Sequence, residues 1–505
     1  MNKKVLIPAA AVGSLLAVNA VRAAKFTPVE KKRAEIPAES VNSARVQENL
    51  SKAIQCKTVS RENSADVDWD EFKKFHKFLE EAYPLVHKTM SKEIISEANL
   101  VYIWKGKNPD LQPMALLAHQ DVVPVTEGTE SDWEHDPFEG FNDGKFIWGR
   151  GAVDMKNHLI CVMEACETLL EEGFQPERDI YLCFGQNEEI VCSKHSGAES
   201  IVATLKERGI TFDSLVDEGG AVLSVDVKGI IDTYIVGVGM AEKGYCDFKI
   251  TVKDKGGHTS QSPKHNGLGK LANVIKDLEG HQCDVKWLPF MDNFLETIGR
   301  TAKFPGRLVT CNYKLLKPLI KEVMKMIPAS ACLLRTVTGV SMCEGSPAPN
   351  VLPQRASVTA NFRPIFGDSI ADVEKHIRDV VRYKDIDVEL LSGKEPSRFS
   401  PVGSAAYNAI DDICTSMYSD KTVATTPYLV MGGTDAYFYE EICENVLRFA
   451  GIYQFHGREV LSVFGYNSLA VTEPFRFSAG YFTSRNSAFF IVRWVSGEQM
   501  FIPRN

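Results

Sequence analysis

Short apolar segments alternate with helical patterns between residues 100 and 223, and this alternation limits the folds open to the chain. Strand candidates occupy residues 114–118, 180–184 and 215–216, and the clearest helix candidate spans residues 157–172. Strands that alternate with helices form α/β units in which the helices cover the sheet. We therefore expect an α/β main domain with a largely buried sheet.

A second pattern begins near Gly244 and predicts an inserted unit. Residues 245–252 and 356–362 alternate like strands, and a helical pattern follows each of them. Two strand-helix-strand halves are typical of a small α+β unit of the ferredoxin-like kind. A stretch rich in helix formers, residues 282–350, lies between the halves, and the α/β pattern returns from about residue 400.

The chain should therefore divide into five parts. These are a signal peptide or anchor (1–24), a linker (25–43), the first part of the main domain (44–242), the inserted lid or dimerisation-type domain (243–393), and the second part of the main domain with an atypical C-terminal tail (394–505).

The N-terminus has the order of a secretory signal. Lys3 and Lys4 precede an apolar run over residues 5–21, and small residues follow it up to Ala24. We expect a secreted protein or one in the secretory lumen, and an uncleaved single-pass membrane anchor is the alternative. Asn49 begins a lone glycosylation sequon, which matters only on the secretory route.

Charge and cysteine usage exclude several classes. The net charge is −9 over 505 residues, whereas nucleic-acid binders usually carry a basic face. The twelve cysteines include no Cys-x-x-Cys pair, so a zinc finger or a redox motif has no support. We expect no nucleic-acid partner, and a membrane partner only if the N-terminal segment is retained.

Acidic and histidine side chains follow the strand candidates. His119 and Asp121 come after the first strand, and an imidazole can bind a metal while a carboxylate holds its other ring nitrogen. Asp154 lies in a glycine-flanked turn before a helix, where an acidic residue is also common as a helix start. Glu188 and Glu189 follow the next strand. An adjacent pair of this kind is most often solvated, but it can also serve one metal as ligand and base.

Asp217 and Glu218 form a fourth cluster, after residues 214–216. Open α/β sheets place their sites at the carboxyl ends of strands, so the four clusters predict one site. Oxygen and nitrogen ligands without thiolate suit zinc, and manganese or cobalt would also fit.

These residues resemble the zinc metallopeptidases that include aminoacylase, carboxypeptidase G and carboxypeptidase S. They are most similar to the carboxypeptidase S branch and its secreted N-fatty-acyl-amino-acid synthase/hydrolase relative. The similarity extends from about residue 45 to 470 and rests on LLAHQDVVPV, FIWGRGAVDMKN, NEE, LVDEGG, KGGHTS, APNVLP, NFRP with GDS, and MGGTDAYFY with ICENVLRF. It implies a zinc-peptidase catalytic domain with a mixed sheet flanked by helices, plus the inserted lid.

The resemblance also implies roles for individual residues. Two zinc ions would be held by His119, Asp154 as the bridge, Glu189, one of Asp217 and Glu218, and His456. Asp121 would orient His119, and Glu188 would be the general base and then the acid. His258 would polarise the scissile carbonyl. The free carboxylate of the substrate would be bound by Asn350 and Arg363, beneath a loop of Gly432 and Gly433.

The implied reaction is hydrolysis of an amide bond next to a free carboxylate, in a C-terminal peptide residue or an N-acyl amino acid. Condensation of a fatty acid with an amino acid is the possible reverse, and the protein would act as a monomer or a homodimer. Two departures leave a catalytically impaired binding protein as the alternative. Gln186-Asn187 stand where the relatives have His-Asp, and the segment from Arg448 to His456 is shorter than in relatives.

Overall fold

The computed structural model describes most of the chain, namely residues 17–29, 42–144, 146–190, 197–418, 421–450 and 452–454. Residues 17–25 are helical. The folded chain contains one large sheet with helices on both faces and, as an insertion, a second sheet of four strands.

The first part of the large sheet and its helices is formed by residues 43–242. In chain order its elements are α1 (Ser43–Ile54), α2 (Trp69–Ala82), α3 (Pro84–Thr89), β1 (Ser91–Ile95), β2 (Asn99–Trp104), β3 (Met114–His119), the hairpin β4 (Phe141–Asn142) and β5 (Ile147–Trp148), α4 (Lys156–Glu171), β6 (Ile180–Gly185), α5 (Gly197–Glu207), β7 (Phe212–Asp217), β8 (Ala221–Val227) and β9 (Ile231–Glu242).

The inserted unit follows directly. Its elements are β10 (Tyr245–Lys253), β11 (Gly257–His258), α6 (Gly267–Gly280), α7 (Phe290–Thr301), α8 (Phe304–Thr310), α9 (Tyr313–Met326), α10 (Pro328–Cys332), β12 (Val337–Glu344), β13 (Val351–Leu352), β14 (Arg355–Arg363), α11 (Ile370–Val380) and β15 (Ile386–Lys394). The strand order is β12-β14-β10-β15 and every pairing is antiparallel. With α6 and α11 as its two crossovers, this order is that of a ferredoxin-like unit.

The chain then returns to the large sheet through α12 (Ala405–Met417), β16 (Thr422–Val430), β17 (Cys443–Arg448) and β18 (Ile452–Gln454). The strand order of the large sheet is β1-β2-β6-β3-β7-β17-β9-β8-β18, and β16 pairs with β9. Strands β6, β3, β7 and β17 run parallel, whereas β1 and β2 pair antiparallel with their neighbours. Strand β8 pairs antiparallel with β9 and parallel with β18. The expected mixed sheet flanked by helices is therefore confirmed.

The central strands are buried on both faces, which explains their unbroken apolar runs. In β3, Leu116 belongs to a core shared with α1, α4 and α12, whereas Ala115 and Leu117 belong to a core shared with α5 on the opposite face. Helices packed on both faces of the sheet thus hold these strands in position, together with the polar side chains at their ends.

The structure adds two details to what the sequence predicts. The helix-rich stretch holds four helices, but its last part forms β12, because a strand there pairs with β14 and completes the second sheet. Asn49 is only 5% exposed, within α1, so the glycosylation sequon is not accessible in the folded chain. In the described part of the chain, no helix has the length and apolar character needed to cross a membrane.

Candidate metal centre

Three neighbouring parallel strands end at one edge of the large sheet. Strand β3 ends at His119, β6 at Gly185 and β7 at Asp217, and β3 lies between the other two. Parallel strands end at the same edge, so the polar residues that follow them meet there. The turn before α4 brings Asp154 to the same place.

His119 lies at the centre of this edge and is 1% exposed. Its Nδ1 lies 3.0 Å from the backbone oxygen of Asp121. Its Nε2 lies 3.1 Å from Asp154 Oδ1 and 3.4 Å from Glu218 Oε1. An acceptor at Nδ1 keeps the proton there and leaves Nε2 available as a metal ligand.

Asp121 connects His119 to the glutamate pair. Its two carboxylate oxygens accept the backbone N–H groups of Glu188 and Glu189, at 3.0 and 3.2 Å. Its Oδ1 also lies 3.3 Å from His119 Nδ1, and the side chain is fully buried. One carboxylate therefore fixes both the imidazole and the start of the loop that carries the two glutamates.

Two sets of side chains at this edge are close enough to hold a metal ion. One set is His119, Glu188 and Glu218, and the other is His119, Asp154 and Glu189. In each set the ligand atoms lie within 4.8 Å of one another. Because His119 belongs to both sets, the two candidate positions are adjacent.

The electrostatics of the centre favour a cation. Burial raises the pKa of Glu188 well above its usual range, and the charges of Glu218 and Glu189 add to this effect. Burial, together with the charge of Asp154, raises the pKa of Glu189 to about 9 and that of Glu218 to about 7. Burial alone would lower the pKa of His119, but its hydrogen bonds to carboxylates raise it well above its usual value.

A bound metal would relieve the repulsion among these carboxylates. Among the described residues, Asp154, Glu188 and Glu218 ion-pair with His119, and none of the three has a lysine or arginine nitrogen within 4.0 Å. Carboxylates that lie close together without a lysine or arginine partner repel one another, and a bound cation stabilises their charged form. The residues present therefore fit a metal of the oxygen- and nitrogen-binding type.

Asp217 and Glu218 differ in what they face. Asp217 is 1% exposed, and its oxygens accept the backbone N–H groups of Glu218 at 2.8 Å and Ala436 at 2.9 Å. Glu218 instead points toward His119. Burial raises the pKa of Asp217 to about 6, although the two amides oppose this shift. The geometry therefore brings Glu218 into the metal-capable group and leaves Asp217 as a support beneath it.

Three of the predicted substrate-binding residues, His258, Asn350 and Arg363, lie in the inserted unit. His258 is exposed on β11, and the N–H of Thr259 donates to the backbone oxygen of Asn350 at 3.2 Å, so these two predicted residues are neighbours. The Arg363 guanidinium lies over the Tyr245 ring, 4.6 Å from its centroid. These contacts are made within the inserted unit, and none of them involves the strand ends around His119.

The glycine loop after β16 lies against the junction of the two units. A side chain at Gly433 would come within 2.9 Å of Lys394 Nζ and 3.6 Å of Glu242 Oε1. The small size of Gly433 thus permits this close approach. Gly432 precedes it in the same bend.

The structure describes the two neutral residues that depart from the family pattern, Gln186 and Asn187. Gln186 Oε1 accepts the N–H of Ala98 at 2.7 Å, and the Asn187 side chain accepts the N–H of Gly197. Both neutral residues therefore hold the loop of the glutamate pair through backbone groups. His456 and the C-terminal tail lie outside the described residues.

The sequence did not single out Asp435, which lies at the start of the 3₁₀ turn Asp435–Glu441 and is 7% exposed. A side chain at Gly185 would clash with its carboxylate, so Asp435 reaches the end of β6. Burial, and then the charge of Asp217, raises the pKa of Asp435 well above its usual range. The sequence signal that could have identified Asp435 is its position just after a strand and the glycine turn of Gly432 and Gly433.

A large α/β sheet with a metal-capable carboxylate and histidine centre at its strand ends defines a metallohydrolase. Residues 115–459 match the family model described as peptidase family M20/M25/M40. The chain therefore belongs to this family, and it is an enzyme of the metallocarboxypeptidase and amidohydrolase type.

Named relatives cover most of the chain. "Probable carboxypeptidase S-like 2" of Dictyostelium discoideum is 34% identical, over 80% of this chain and 77% of that protein. Carboxypeptidase S of Saccharomyces cerevisiae is 32% identical with the same coverage. The human N-fatty-acyl-amino acid synthase/hydrolase PM20D1 is 29% identical, over 84% of each chain.

Solved structures share the fold. The M20 family metallo-carboxypeptidase Sso-CP2 from Sulfolobus solfataricus superposes with a TM-score of 0.61 at 16% identity, covering 89% of this chain and 99% of that one. The di-peptidase Dug1p from Saccharomyces cerevisiae gives 0.58 at 12% identity, covering 96% and 99%.

Proposed function

We propose that this enzyme uses two zinc ions to hydrolyse an amide bond next to a free carboxylate. The observation that carries the proposal is the pair of metal-capable groups that share His119 and include both residues of the glutamate pair. Two adjacent metals are a common arrangement in hydrolases, where they stabilise both the attacking and the leaving groups.

The residues that would hold the metal ions in this proposal are His119, Asp154, Glu189 and Glu218, with His456 as a further ligand. Bound zinc supplies a Lewis acid that lowers the pKa of water and polarises a carbonyl oxygen. Asp121 positions His119 and the glutamate pair through the hydrogen bonds described above. Asp217 holds the backbone at Glu218 and Ala436.

Glu188 is the proton carrier. Without a cation, burial and its acidic neighbours raise the pKa of this carboxyl and so favour its protonated form. A nearby cation favours the charged form, so in the metal-loaded enzyme Glu188 is a base. It takes a proton from the attacking water and returns it to the leaving amine, which are the two steps of general base and acid catalysis.

The inserted unit and the glycine loop after β16 supply the substrate contacts in this proposal. His258 stabilises the developing negative charge on the carbonyl oxygen. Arg363 binds the free carboxylate with its planar guanidinium, and Asn350 assists it. Gly432 and Gly433 let the backbone approach the substrate. The neighbouring positions of His258 and Asn350 support this assignment.

The substrate class follows the relatives, which are named carboxypeptidase S and N-fatty-acyl-amino acid synthase/hydrolase. We propose a short peptide or an N-acyl amino acid, with condensation as the reverse reaction of the latter. Separate incubations with an N-oleoyl amino acid and with a blocked dipeptide distinguish the two, because cleavage of only one assigns the class.

Glu188→Gln tests the chemistry. We expect a fall in kcat of at least ~10²-fold with the metal retained, because the variant lacks the group that moves the proton. Glu172→Gln, at an exposed position at the end of α4, is the matched control and should retain full activity. A wild-type protein that binds metal and substrate without turnover would instead support the binding-protein alternative.

We also propose that residues 1–24 direct the chain to the secretory route. N-terminal sequencing of the mature protein tests this, since a start near residue 24 indicates cleavage and a start at Met1 indicates an anchor.

A further inference from the structure

Helix α9 in the inserted unit exposes an apolar stripe. Leu315, Leu319 and Val323 follow the i, i+4, i+8 spacing of one helix face and are 79%, 62% and 48% exposed. Met326, 82% exposed, continues the stripe. Side chains of this size are rarely exposed together on a soluble surface without a partner.

The opposite side of α9 is the one that packs on the protein. Tyr313 is 4% exposed, and its hydroxyl donates to Glu296 Oε2 at 3.3 Å on α7. Met324 packs against the core formed around Leu429 and Leu334. The helix is therefore anchored in an orientation that directs the Leu315 stripe outward.

The same segment is strongly basic in an acidic protein. Residues 303–327 contain six basic residues and one acidic residue, so their net charge is +5, whereas the whole chain carries −9. Lys314, Lys321 and Lys325 lie one above the other along α9, on a face about 100° or more around the helix from the apolar stripe. A lysine stem can lie along the helix and place its ammonium group at the level of lipid headgroups.

The N-terminal segment reaches the fold at this point. Asn19 donates to the backbone oxygen of Leu308 at 3.1 Å, and Arg22 donates to Asn312 Oδ1 at 3.1 Å. The apolar run of residues 5–21 therefore ends beside α8 and α9. Leu315 and Leu319 are exposed in the same region.

We propose that α9 docks on an anionic lipid surface, with the Leu315 stripe inserted at the level of the headgroups and the lysines bound to lipid phosphates. An amphipathic helix with leucines on one face and lysines on another binds membranes in this way, without spanning them. The +5 charge favours anionic over neutral lipid. This docking is independent of the proposed reaction.

Flotation of the full chain with vesicles tests the proposal. Wild type should bind phosphatidylcholine vesicles that contain phosphatidylserine more strongly than pure phosphatidylcholine vesicles, and high salt should weaken this binding. Leu315→Gln/Leu319→Gln/Val323→Gln should weaken it at least ~10-fold. The matched control replaces exposed apolar residues of the second sheet, Met342→Gln/Leu390→Gln/Leu391→Gln, and should bind as wild type does.

A second variant, Lys314→Gln/Lys321→Gln/Lys325→Gln, should lose the preference for phosphatidylserine by at least ~10-fold. Each variant should retain the thermal midpoint of wild type, since all these side chains are on the surface. Equal flotation of wild type and the Leu315 variant would overturn the proposal, because residues 5–21 would then account for the binding. Self-association that the Leu315 variant abolishes, without vesicle binding, would also overturn it.

Discussion

Arg448 and Glu242 form an ion pair of 2.8 Å, between Nε and Oε2, in which neither side chain is exposed to solvent. Glu242 also accepts from Lys394 Nζ at 2.8 Å and from Thr434 Oγ1 at 2.8 Å. Glu242 ends β9 and Lys394 ends β15, so this carboxylate joins the large sheet, the inserted unit and the loop after β16. The charges and hydrogen bonds of its partners hold the pKa of Glu242 low despite its burial.

Replacement of Arg448 should therefore be strongly destabilising. We expect Arg448→Met to lower the free energy of unfolding by about 3–5 kcal/mol, because it leaves a buried carboxylate short of a partner. Arg448→Met/Glu242→Gln should recover part of the loss. Urea unfolding of the metal-loaded protein measures both.

Arg208 provides the control for Arg448, because its ion pair with Glu93 lies on the surface. The side chains of Arg208 and Glu93 are 45% and 40% exposed. Arg208→Met should change the free energy of unfolding by no more than about 1 kcal/mol. Similar losses for Arg448→Met and Arg208→Met would contradict a structural role for the buried pair.

Asp217 and Glu218 should respond differently to neutralisation. Glu218→Gln removes a carboxylate that faces His119, so we expect it to weaken metal binding by more than about 100-fold, the upper range for a supporting residue. Asp217→Asn leaves one acceptor oxygen for the two backbone N–H groups that Asp217 holds, and it should weaken binding by about 10-fold to 100-fold. Chelator competition gives both affinities, and the reverse order would assign the ligand role to Asp217.

Asp121→Asn tests the positioning of the centre. The asparagine has one acceptor oxygen where Asp121 uses two for the N–H groups of Glu188 and Glu189. We expect metal affinity to fall about 10-fold to 100-fold, with kcat reduced more than KM is changed. Asp66→Asn, at an exposed carboxylate far from the centre, should leave both quantities unaltered. An Asp121→Asn enzyme with the affinity and kcat of wild type would contradict the positioning role.

The metal-free protein should lose stability as the pH rises. The pKa of Glu189 is raised from 4.5 to about 9 and that of Glu218 to about 7. Between these values the folded chain therefore keeps protons that the unfolded chain has released. The stability that results is complete below about pH 4.5 and decreases as the pH rises to about 9. The Tm of the metal-free protein should fall from pH 5 to pH 9.

Zinc should reverse most of this fall, because a cation stabilises the same carboxylates in their charged form. Thermal melts with and without zinc across that pH range make the comparison. A metal-free protein whose Tm rises toward pH 9 would contradict the raised pKa values of the two glutamates.

The sequence predicts much of the fold because its central strands are buried on both faces. Such strands appear as unbroken apolar runs, and the polar residues that follow β3, β6 and β7 then share one edge. This pattern predicts that His119, Glu188, Glu189 and one of Asp217 and Glu218 share one site, and the structure brings His119, Glu188, Glu189 and Glu218 close together.

Other features depend on contacts that no local pattern records. The hydrogen bond from Ala436 to Asp217 joins residues 219 positions apart, and it separates the role of Asp217 from that of Glu218. The pair of Glu242 and Arg448 spans 206 positions. A buried ion pair is recognisable only once both partners are known, so the sequence alone did not predict the pairing of Glu242 with Arg448.

Metal content is the most direct test of the two-zinc centre. The purified protein, equilibrated with zinc and freed of unbound metal, should contain about two zinc ions per chain by mass spectrometry of the elements, and removal of the metal should abolish amide hydrolysis. His119→Ala should lower the zinc content, because His119 belongs to both metal-capable groups. Fewer than about one zinc per chain in the zinc-saturated wild type would contradict the account.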